Sequence, residues 1–133
     1  MYAAPVNALC ADIHAHNIAA GWWTDLASGI SLGDAVRDRH SRLGHALVAE
    51  KLCLVHSEVS EAMEGHRKSL PDDKLPHRPM VEVELADACI RIFDLAGALG
   101  LDLGGAIEEK RAYNAQRADH KLENRLKAGG KAY

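Results

Sequence analysis

Apolar side chains recur along this chain at intervals of three and four residues, the spacing that places them on one face of an α-helix. The first such segment runs from about Val6 to Ala20 and ends before Gly21. Two further segments run from Leu43 to Gly65 and from about Met80 to Leu99, and a fourth extends from near Gly104 through Ala128. The alternation typical of strands is hard to find. The pattern therefore predicts an all-α helical bundle of four to five helices.

Glycine and proline mark the ends of these segments. Three prolines between Leu70 and Pro79 require a loop between the second and third long helices. The stretch from Gly21 to about Arg42 gives mixed signals, and we interpret it as a connector with room for one short helical piece. No linker or internal repeat interrupts the 133 residues, so residues 1–133 are expected to form a single domain.

The charge balance limits the classes of protein that fit this pattern. The chain has 16 Lys and Arg against 19 Asp and Glu, a formal charge of −3 with neutral histidines. A protein that coats nucleic acid needs the opposite balance, so no nucleic-acid partner is expected. No apolar run approaches the roughly 20 residues that span a bilayer, and the N-terminus lacks the features of a signal peptide. We therefore expect a cytoplasmic protein with no membrane partner.

Pairs of acids lie at the margin of the apolar face on the second and third long helices. Glu58 and Glu61 are three residues apart, as are Glu84 and Asp87, so each pair presents its oxygens in one direction. If the two helices pack side by side, four carboxylates converge and need a cation to stay ionised. Oxygen-only ligation favours Mg²⁺, with Mn²⁺ as a substitute, over zinc. The alternative is that both pairs are solvated surface charges.

Cationic and amide side chains follow one face of the last predicted helix. Lys110, Asn114, Arg117 and Lys121 are spaced by three and four residues. Such a row has the hydrogen-bond donors that hold phosphate oxygens. The alternative is an ordinary basic solvent face near the C-terminus of a helix, where positive charge complements the helix dipole.

These motifs, taken together, resemble those of the MazG-like all-α nucleoside triphosphate pyrophosphatases. That family combines E-x-x-E with a later E-x-x-D, which correspond here to Glu58 with Glu61 and Glu84 with Asp87. The segment from Lys110 to Arg117 also resembles the family's K-x-x-x-N-x-x-R element. The likeness extends from about Ala49 to Lys131 and is nearest to the short, single-domain members of phages and bacteria.

The resemblance implies a Mg²⁺-dependent enzyme that splits a (d)NTP into the monophosphate and pyrophosphate, in housecleaning of the nucleotide pool. It implies that the four motif acids hold the metal and that Lys110, Asn114 and Arg117 lie near phosphate or sugar. Glu58 or Glu61 would activate the water, and the sequence leaves the choice between them open. Some relatives carry a further acid where this chain has Ser57, so a base at that place is absent.

The N-terminal region provides candidates for the rest of the substrate site. Gly21-Trp22-Trp23 resembles a stretch of the same family branch, and Trp23 could stack on a nucleobase while His14 or Asn17 reads its edge. Asp94, two helical turns beyond Asp87, completes the substrate-binding set. The alternative is that the tryptophans are hydrophobic plugs at a helix end.

Two other interpretations and one expectation about assembly accompany this hypothesis. The chain could be a phosphoribosyl-ATP pyrophosphohydrolase, or a catalytically silent helical oligomer that binds a nucleotide or a protein. Ile90 and Phe93 project away from the main apolar stripe of the third long helix. We therefore expect a homodimer or homotetramer, which the family resemblance also implies.

Overall fold

A computed structural model describes all 133 residues and confirms the predicted all-α fold. No strand is present beyond two isolated bridges between single residues. None of the helices combines the length and the apolar character needed to cross a membrane. The chain forms six α-helices and one 3₁₀ turn at Ala118–His120: α1 (Ala3–Ala19), α2 (Gly33–Arg37), α3 (Arg42–Lys68), α4 (Met80–Leu99), α5 (Leu103–Gln116) and α6 (Leu122–Arg125).

The predicted extent of the last helix was wrong. The helix α5 ends at Gln116, because the backbone of Arg117 is extended at φ −66° and ψ 130°. The Arg117 guanidinium donates to both carboxylate oxygens of Asp119, at 2.9 and 2.7 Å, which stabilises the turn away from the helix. Arg117 and Lys121 therefore do not continue the helical row that begins at Lys110.

Local chemistry explains where the two long helices end. The Ser41 hydroxyl accepts from the backbone N–H of Gly44 at 3.0 Å and caps the start of α3. Gly100 follows α4 with φ at +65°, a left-handed conformation that glycine adopts without a steric cost. The Arg37 Nε donates to the carbonyl of Ala98 at 2.8 Å, which satisfies one of the free carbonyls at that helix end.

The chain divides into two compact units, and the larger one comprises Leu9–Leu101. Its main feature is an antiparallel hairpin of α3 and α4, joined by the loop of residues 69–79. The buried core of this unit is small and includes one indole, that of Trp23, which is 2% exposed. Four residues form the buried cluster: Trp23, Val36, Leu95 and Ala98.

Glycines on α3 and α4 let neighbouring elements approach closely. A Cβ at Gly44 would lie 1.9 Å from the carbonyl oxygen of Ala35 in α2. A Cβ at Gly97 would lie 2.7 Å from both the Cys10 carbonyl oxygen and the His14 Cβ in α1. These contacts leave no room for even a methyl group, so glycine at these positions sets the packing distance.

The second unit consists of residues 1–8 and 102–133. Asp102 caps α5 by accepting from the backbone N–H of Gly105 at 2.9 Å. The Asn7 side chain accepts from the Gly104 N–H at 2.8 Å and donates to Asp102 at 2.6 Å, which ties the start of the chain to α5. Glu108 accepts from the backbone N–H groups of residues 2 and 3 and from the N-terminal ammonium, and these donors lower its pKa to about 2.

The close approach of α1 to α4 predicts that Gly97→Ala destabilises the protein. Alanine is the better helix former, so propensity alone would stabilise the variant by about 1 kcal/mol. Because the added methyl collides with the backbone of Cys10 and the side chain of His14, we expect a net loss of about 1–3 kcal/mol. Urea denaturation followed by circular dichroism measures this change.

Gly33→Ala is the matched control for this experiment. Gly33 begins α2, and the nearest atom to its added Cβ is the Ser31 Oγ at 3.6 Å, an ordinary van der Waals distance. This variant should retain wild-type stability within about 0.5 kcal/mol. Equal stability of the Gly97→Ala variant and the wild type would contradict the packing described for α1.

Candidate functional site

Three carboxylates meet in the seam between α3 and α4. Glu58 lies on α3, and Glu84 and Asp87 lie three residues apart on α4. One oxygen from each lies within 4.8 Å of the other two. We refer to Glu58, Glu84 and Asp87 as the acid triad. Glu84 and Asp87 share a face of α4 because they are three residues apart. The antiparallel packing of α3 against α4 brings Glu58 next to them.

Burial and repulsion between neighbouring carboxylates raise the pKa values of Glu84 and Asp87. The Glu84 side chain, in a residue only 8% exposed, has its pKa raised to about 7. Desolvation is the largest cause, followed by a hydrogen bond with Glu58 and the negative charges of Glu61, Glu58 and Asp87. Burial also raises the pKa of Asp87, and the charge of Glu58 adds to this effect. Without a cation, the site therefore cannot keep all three carboxylates ionised.

Arg91 is the one cationic side chain that forms an ion pair with the acid triad. Its Nε donates to Glu58 Oε1, and its positive charge partly offsets the raised pKa of Asp87. Arg91 lies one helical turn beyond Asp87 on α4, so both face the same seam. A single guanidinium compensates only part of the charge of three carboxylates.

Glu61, the fourth predicted ligand, lies outside the acid triad. Its side chain is exposed, and no oxygen of it belongs to the group of three. Glu61 is nevertheless near enough for its charge to raise the pKa of Glu84. The structure thus brings together three of the four predicted acids and leaves the fourth beside them.

Asp72, a further acid near the triad, was missed from the sequence. It lies in the loop between α3 and α4 and is only 3% exposed. Its Oδ1 accepts from the backbone N–H groups of Lys74 at 3.0 Å and Leu75 at 2.6 Å, and its charge contributes to the raised pKa of Asp87. An Asp directly after Pro71 is typical of a turn, but this signal gives no indication that the loop folds back toward Asp87.

A cavity of about 460 Å³ adjoins the acid triad within the larger unit. The helices α3 and α4 supply most of its lining, and the region around the end of α1 supplies the rest. The lining combines an amide, an exposed indole, two cations and three carboxylates: Asn17, Trp22, Lys51, Arg91, Glu50, Asp87 and Asp94. Charge of both signs and an aromatic surface are therefore available to one ligand.

His14, Trp23 and Asp94 form a buried hydrogen-bond network behind this cavity. Asp94 Oδ1 lies 2.8 Å from His14 Nδ1, and Trp23 Nε1 donates to both Asp94 oxygens at 2.9 and 3.2 Å. The Lys51 Nζ lies 4.7 Å from the Trp23 ring centroid. All three members of the network are less than 10% exposed. The hydrogen bonds from His14 and Trp23 fix the carboxylate of Asp94 at the cavity wall.

The tryptophan that we expected to stack on a base is not the accessible one. Trp23 is buried and uses its indole N–H for Asp94, which agrees with the alternative of a hydrophobic plug. Trp22, its neighbour, is 68% exposed and lines the cavity. A stacking role fits Trp22 instead, because a ligand can reach its ring.

The other predicted substrate residues, Lys110, Asn114 and Arg117, lie in the smaller unit. The Lys110 Nζ lies 4.9 Å from the centroid of the Tyr113 ring, and Arg117 pairs with Asp119. Asn114 Oδ1 is buried without a hydrogen-bond partner. Lys110 and Asn114 share a face of α5, whereas Arg117 follows the end of the helix.

Comparisons of this chain with models of protein families, with curated proteins and with solved structures found no match. The acid triad has the clearest chemical requirement, because its two buried carboxylates, Glu58 and Glu84, need either a proton or a cation to offset their charge.

The raised pKa of Glu84 predicts that the metal-free protein loses stability as the pH rises. The folded state retains a proton that the unfolded state releases at the ordinary Glu pKa of 4.5. The stabilisation is thus fully present below pH 4.5 and is lost as the pH rises through about 7. We expect the free energy of unfolding, measured by urea denaturation in EDTA, to fall by on the order of 1–3 kcal/mol across this interval.

Glu84→Gln is the control for the pH profile, because the amide side chain does not ionise between pH 4.5 and 7. Its free energy of unfolding should vary less with pH than that of the wild type between pH 4.5 and 7. A variant with the same slope as the wild type would show that another group causes the loss.

Proposed function

We propose that this chain is a Mg²⁺-dependent nucleoside triphosphate pyrophosphohydrolase that converts a (d)NTP and water into a (d)NMP and pyrophosphate. The observation that carries the proposal is the acid triad, three carboxylates from two helices whose oxygens lie within 4.8 Å of one another. A neighbouring cavity lined by two cations and an exposed indole supports it. The arrangement supplies metal ligands and groups for phosphate and base in one unit of the protein.

The ligand set of the acid triad fits a hard divalent cation. All three donors are carboxylate oxygens, which suit Mg²⁺ and Mn²⁺ rather than zinc. Glu84 receives no hydrogen bond from a basic side chain or a backbone N–H group, although it is buried. A raised pKa is typical of a carboxylate ligand without its metal, because a bound proton then offsets the charge that the cation would neutralise.

The proposed reaction assigns separate tasks to the side chains around the triad. The water oxygen bonds to the α-phosphorus, and the bond from that phosphorus to the α,β-bridging oxygen breaks, so that oxygen leaves with pyrophosphate. Glu61 is suited to accept the proton from the water, because it is exposed beside the triad while Glu58 is one of the proposed metal ligands. A divalent cation would neutralise charge on the phosphate oxygens and polarise the reacting bond.

The family resemblance supports the same reaction but extends further than the acid triad. It places Lys110, Asn114 and Arg117 near phosphate or sugar, and Arg117 would first have to exchange its pairing with Asp119. The unpartnered Oδ1 of Asn114 is consistent with a ligand contact. The cytoplasmic location, the single domain and the role in nucleotide-pool housecleaning remain predictions from the sequence.

Conservative substitution of the triad tests the proposal directly. We expect Glu84→Gln and Asp87→Asn to lower kcat/KM for pyrophosphate release from a panel of dNTPs by about 10²-fold or more, because each removes a charged ligand. Glu82→Gln is the matched control, since Glu82 lies on the same helix, is exposed and pairs with Arg78. It should retain wild-type kinetics. Full activity of either triad variant would refute the metal assignment.

The same assay separates the other interpretations. Turnover of phosphoribosyl-ATP in place of the dNTP panel would identify the alternative pyrophosphohydrolase. Calorimetry that shows binding of Mg²⁺ and a non-hydrolysable dNTP, together with no turnover of any nucleotide, would favour a silent binding module.

We further propose that the chain forms a homo-oligomer, either a dimer or a tetramer, through one side of the α3–α4 hairpin. Leu52, Val59 and Met63 form a row on α3, and Leu85 and Ile92 lie seven residues apart on α4; all are at least 40% exposed. Each row lies about a quarter turn from the packed seam, and in an antiparallel hairpin both face the same side. An apolar surface of this kind is typical of a subunit interface. Ile90, in contrast, lines the cavity.

Light scattering tests this assembly. The wild type should have a mass of at least twice the 14.4 kDa of one chain, and Met63→Glu should lower it by placing a charge in the interface. Leu26→Glu is the control, because Leu26 is 88% exposed and lies outside the hairpin. A monomeric wild type would contradict the proposal.

A further inference from the structure

Arg91 occupies a position between the acid triad and the cavity. Its Nε donates to Glu58 Oε1, one of the buried acids that we propose as metal ligands. The Arg91 side chain is itself 40% exposed and lines the cavity next to the triad. One guanidinium thus contacts a proposed metal ligand and also faces the space proposed for the substrate.

The charge balance of the seam explains why Arg91 holds Glu58. The three carboxylates lie closer together than a Debye length, and Glu58 and Glu84 are buried, so the repulsion among them is weakly screened. The Arg91 guanidinium is the one cation within ion-pairing distance of them. A divalent cation at the acid triad would supply twice the charge of Arg91 and would use the same oxygens.

We propose that Arg91 is an exchangeable counter-cation: it neutralises Glu58 in the metal-free protein and, once metal takes this carboxylate, turns to bind phosphate oxygens in the adjoining cavity. The inference rests on the metal site of the proposed function and adds a coupling between metal and anion that the acid triad alone does not require. It also assigns to Arg91 a contact with the substrate that none of the sequence motifs indicated.

Two physical arguments favour exchange over a fixed pairing. Arg91 and an incoming cation have charges of the same sign, so a guanidinium left on Glu58 would repel the metal over a few ångströms. The guanidinium also offers several N–H donors in a plane, which match phosphate oxygens as well as they match a carboxylate. Lys51, which lines the same cavity and pairs with no carboxylate, would add a second positive charge for the same anion.

Such an exchange couples the two ligands thermodynamically. Metal binding would free a cation for the anion and so raise the affinity for phosphate groups. By linkage, a bound anion that holds Arg91 in the cavity would raise the affinity for metal by the same factor. The site would then fill preferentially with metal and nucleotide together.

Nuclear magnetic resonance of the wild type tests the exchange without any substitution. In metal-free protein the Arg91 Nε–H signal, assigned by its loss in Arg91→Lys, should show the slow solvent exchange of a hydrogen-bonded group. Addition of Mg²⁺ alone should move this signal toward the position of a solvent-exposed arginine without a hydrogen bond and speed its exchange. An Arg91 signal that keeps its metal-free position and slow exchange at saturating Mg²⁺ would overturn the proposal.

Calorimetry with Mg²⁺ provides a second, independent measurement. We expect Arg91→Gln to bind Mg²⁺ about three- to tenfold more tightly than the wild type, because the competing positive charge is gone. Arg91→Lys, which keeps the charge, should remain near the wild-type affinity. Arg39→Gln is the control, since Arg39 is exposed and contacts only His40, and it should leave Mg²⁺ binding unchanged. Weaker Mg²⁺ binding by Arg91→Gln would instead show that Arg91 orients Glu58 for the metal, and would overturn the exchange.

Inorganic pyrophosphate, the product of the proposed reaction, tests the anion side of the coupling. Mg²⁺ should raise the affinity of the wild type for pyrophosphate, and Arg91→Gln should reduce this gain by about tenfold. An undiminished gain in the variant would overturn the role of Arg91 at phosphate.

The failure of this inference is distinguishable from that of the proposed function. If Mg²⁺ binds and nucleotides are hydrolysed while the Arg91 signal stays in place, the exchange is refuted and the proposed function stands. If calorimetry detects no Mg²⁺ binding to the folded wild type, both are refuted.

Discussion

The convergence of three carboxylates, two of them buried, between two packed helices is the constraint on which the rest of this structure depends. Glu58, Glu84 and Asp87 occupy a seam where apolar side chains would be the stable choice. Their repulsion is relieved by a proton on Glu84, by Arg91 and, as we propose, by a divalent cation. The hairpin of α3 and α4 is thus less stable than an apolar equivalent would be, and this repulsion would favour the cation that we propose.

Small residues and a buried network hold the surroundings of this seam in place. Gly97 lets α1 approach α4 closely enough for His14 to reach Asp94. Trp23 completes the network from the segment after α1 and at the same time fills the core of the larger unit. Because the same few residues serve both packing and the cavity wall, a change in the α1 contact would alter the shape of the cavity as well as the stability.

Two sides of the α3–α4 hairpin differ in chemical character. One side of the hairpin carries the acid triad and its cavity, while another carries exposed leucine, valine, isoleucine and methionine side chains. The core that one chain buries is small for 133 residues and contains few large side chains. A second copy on the exposed apolar side would bury more of that surface without covering the triad, so the proposed assembly and the proposed catalysis are compatible on the same pair of helices.

The sequence by itself determined the helical class, the limits of α4 and the pairing of acids along each helix, because these depend on spacings of three and four residues and on local glycine and proline signals. It overextended α5, since the turn after Gln116 depends on the pairing of Arg117 with Asp119. Only the tertiary structure decided that Glu61 lies outside the triad, that Trp22 rather than Trp23 is accessible, and that Asp72 and Arg91 lie close to the acids. These facts depend on which faces of separate elements meet, and such contacts join residues too distant in the chain for a local pattern to specify.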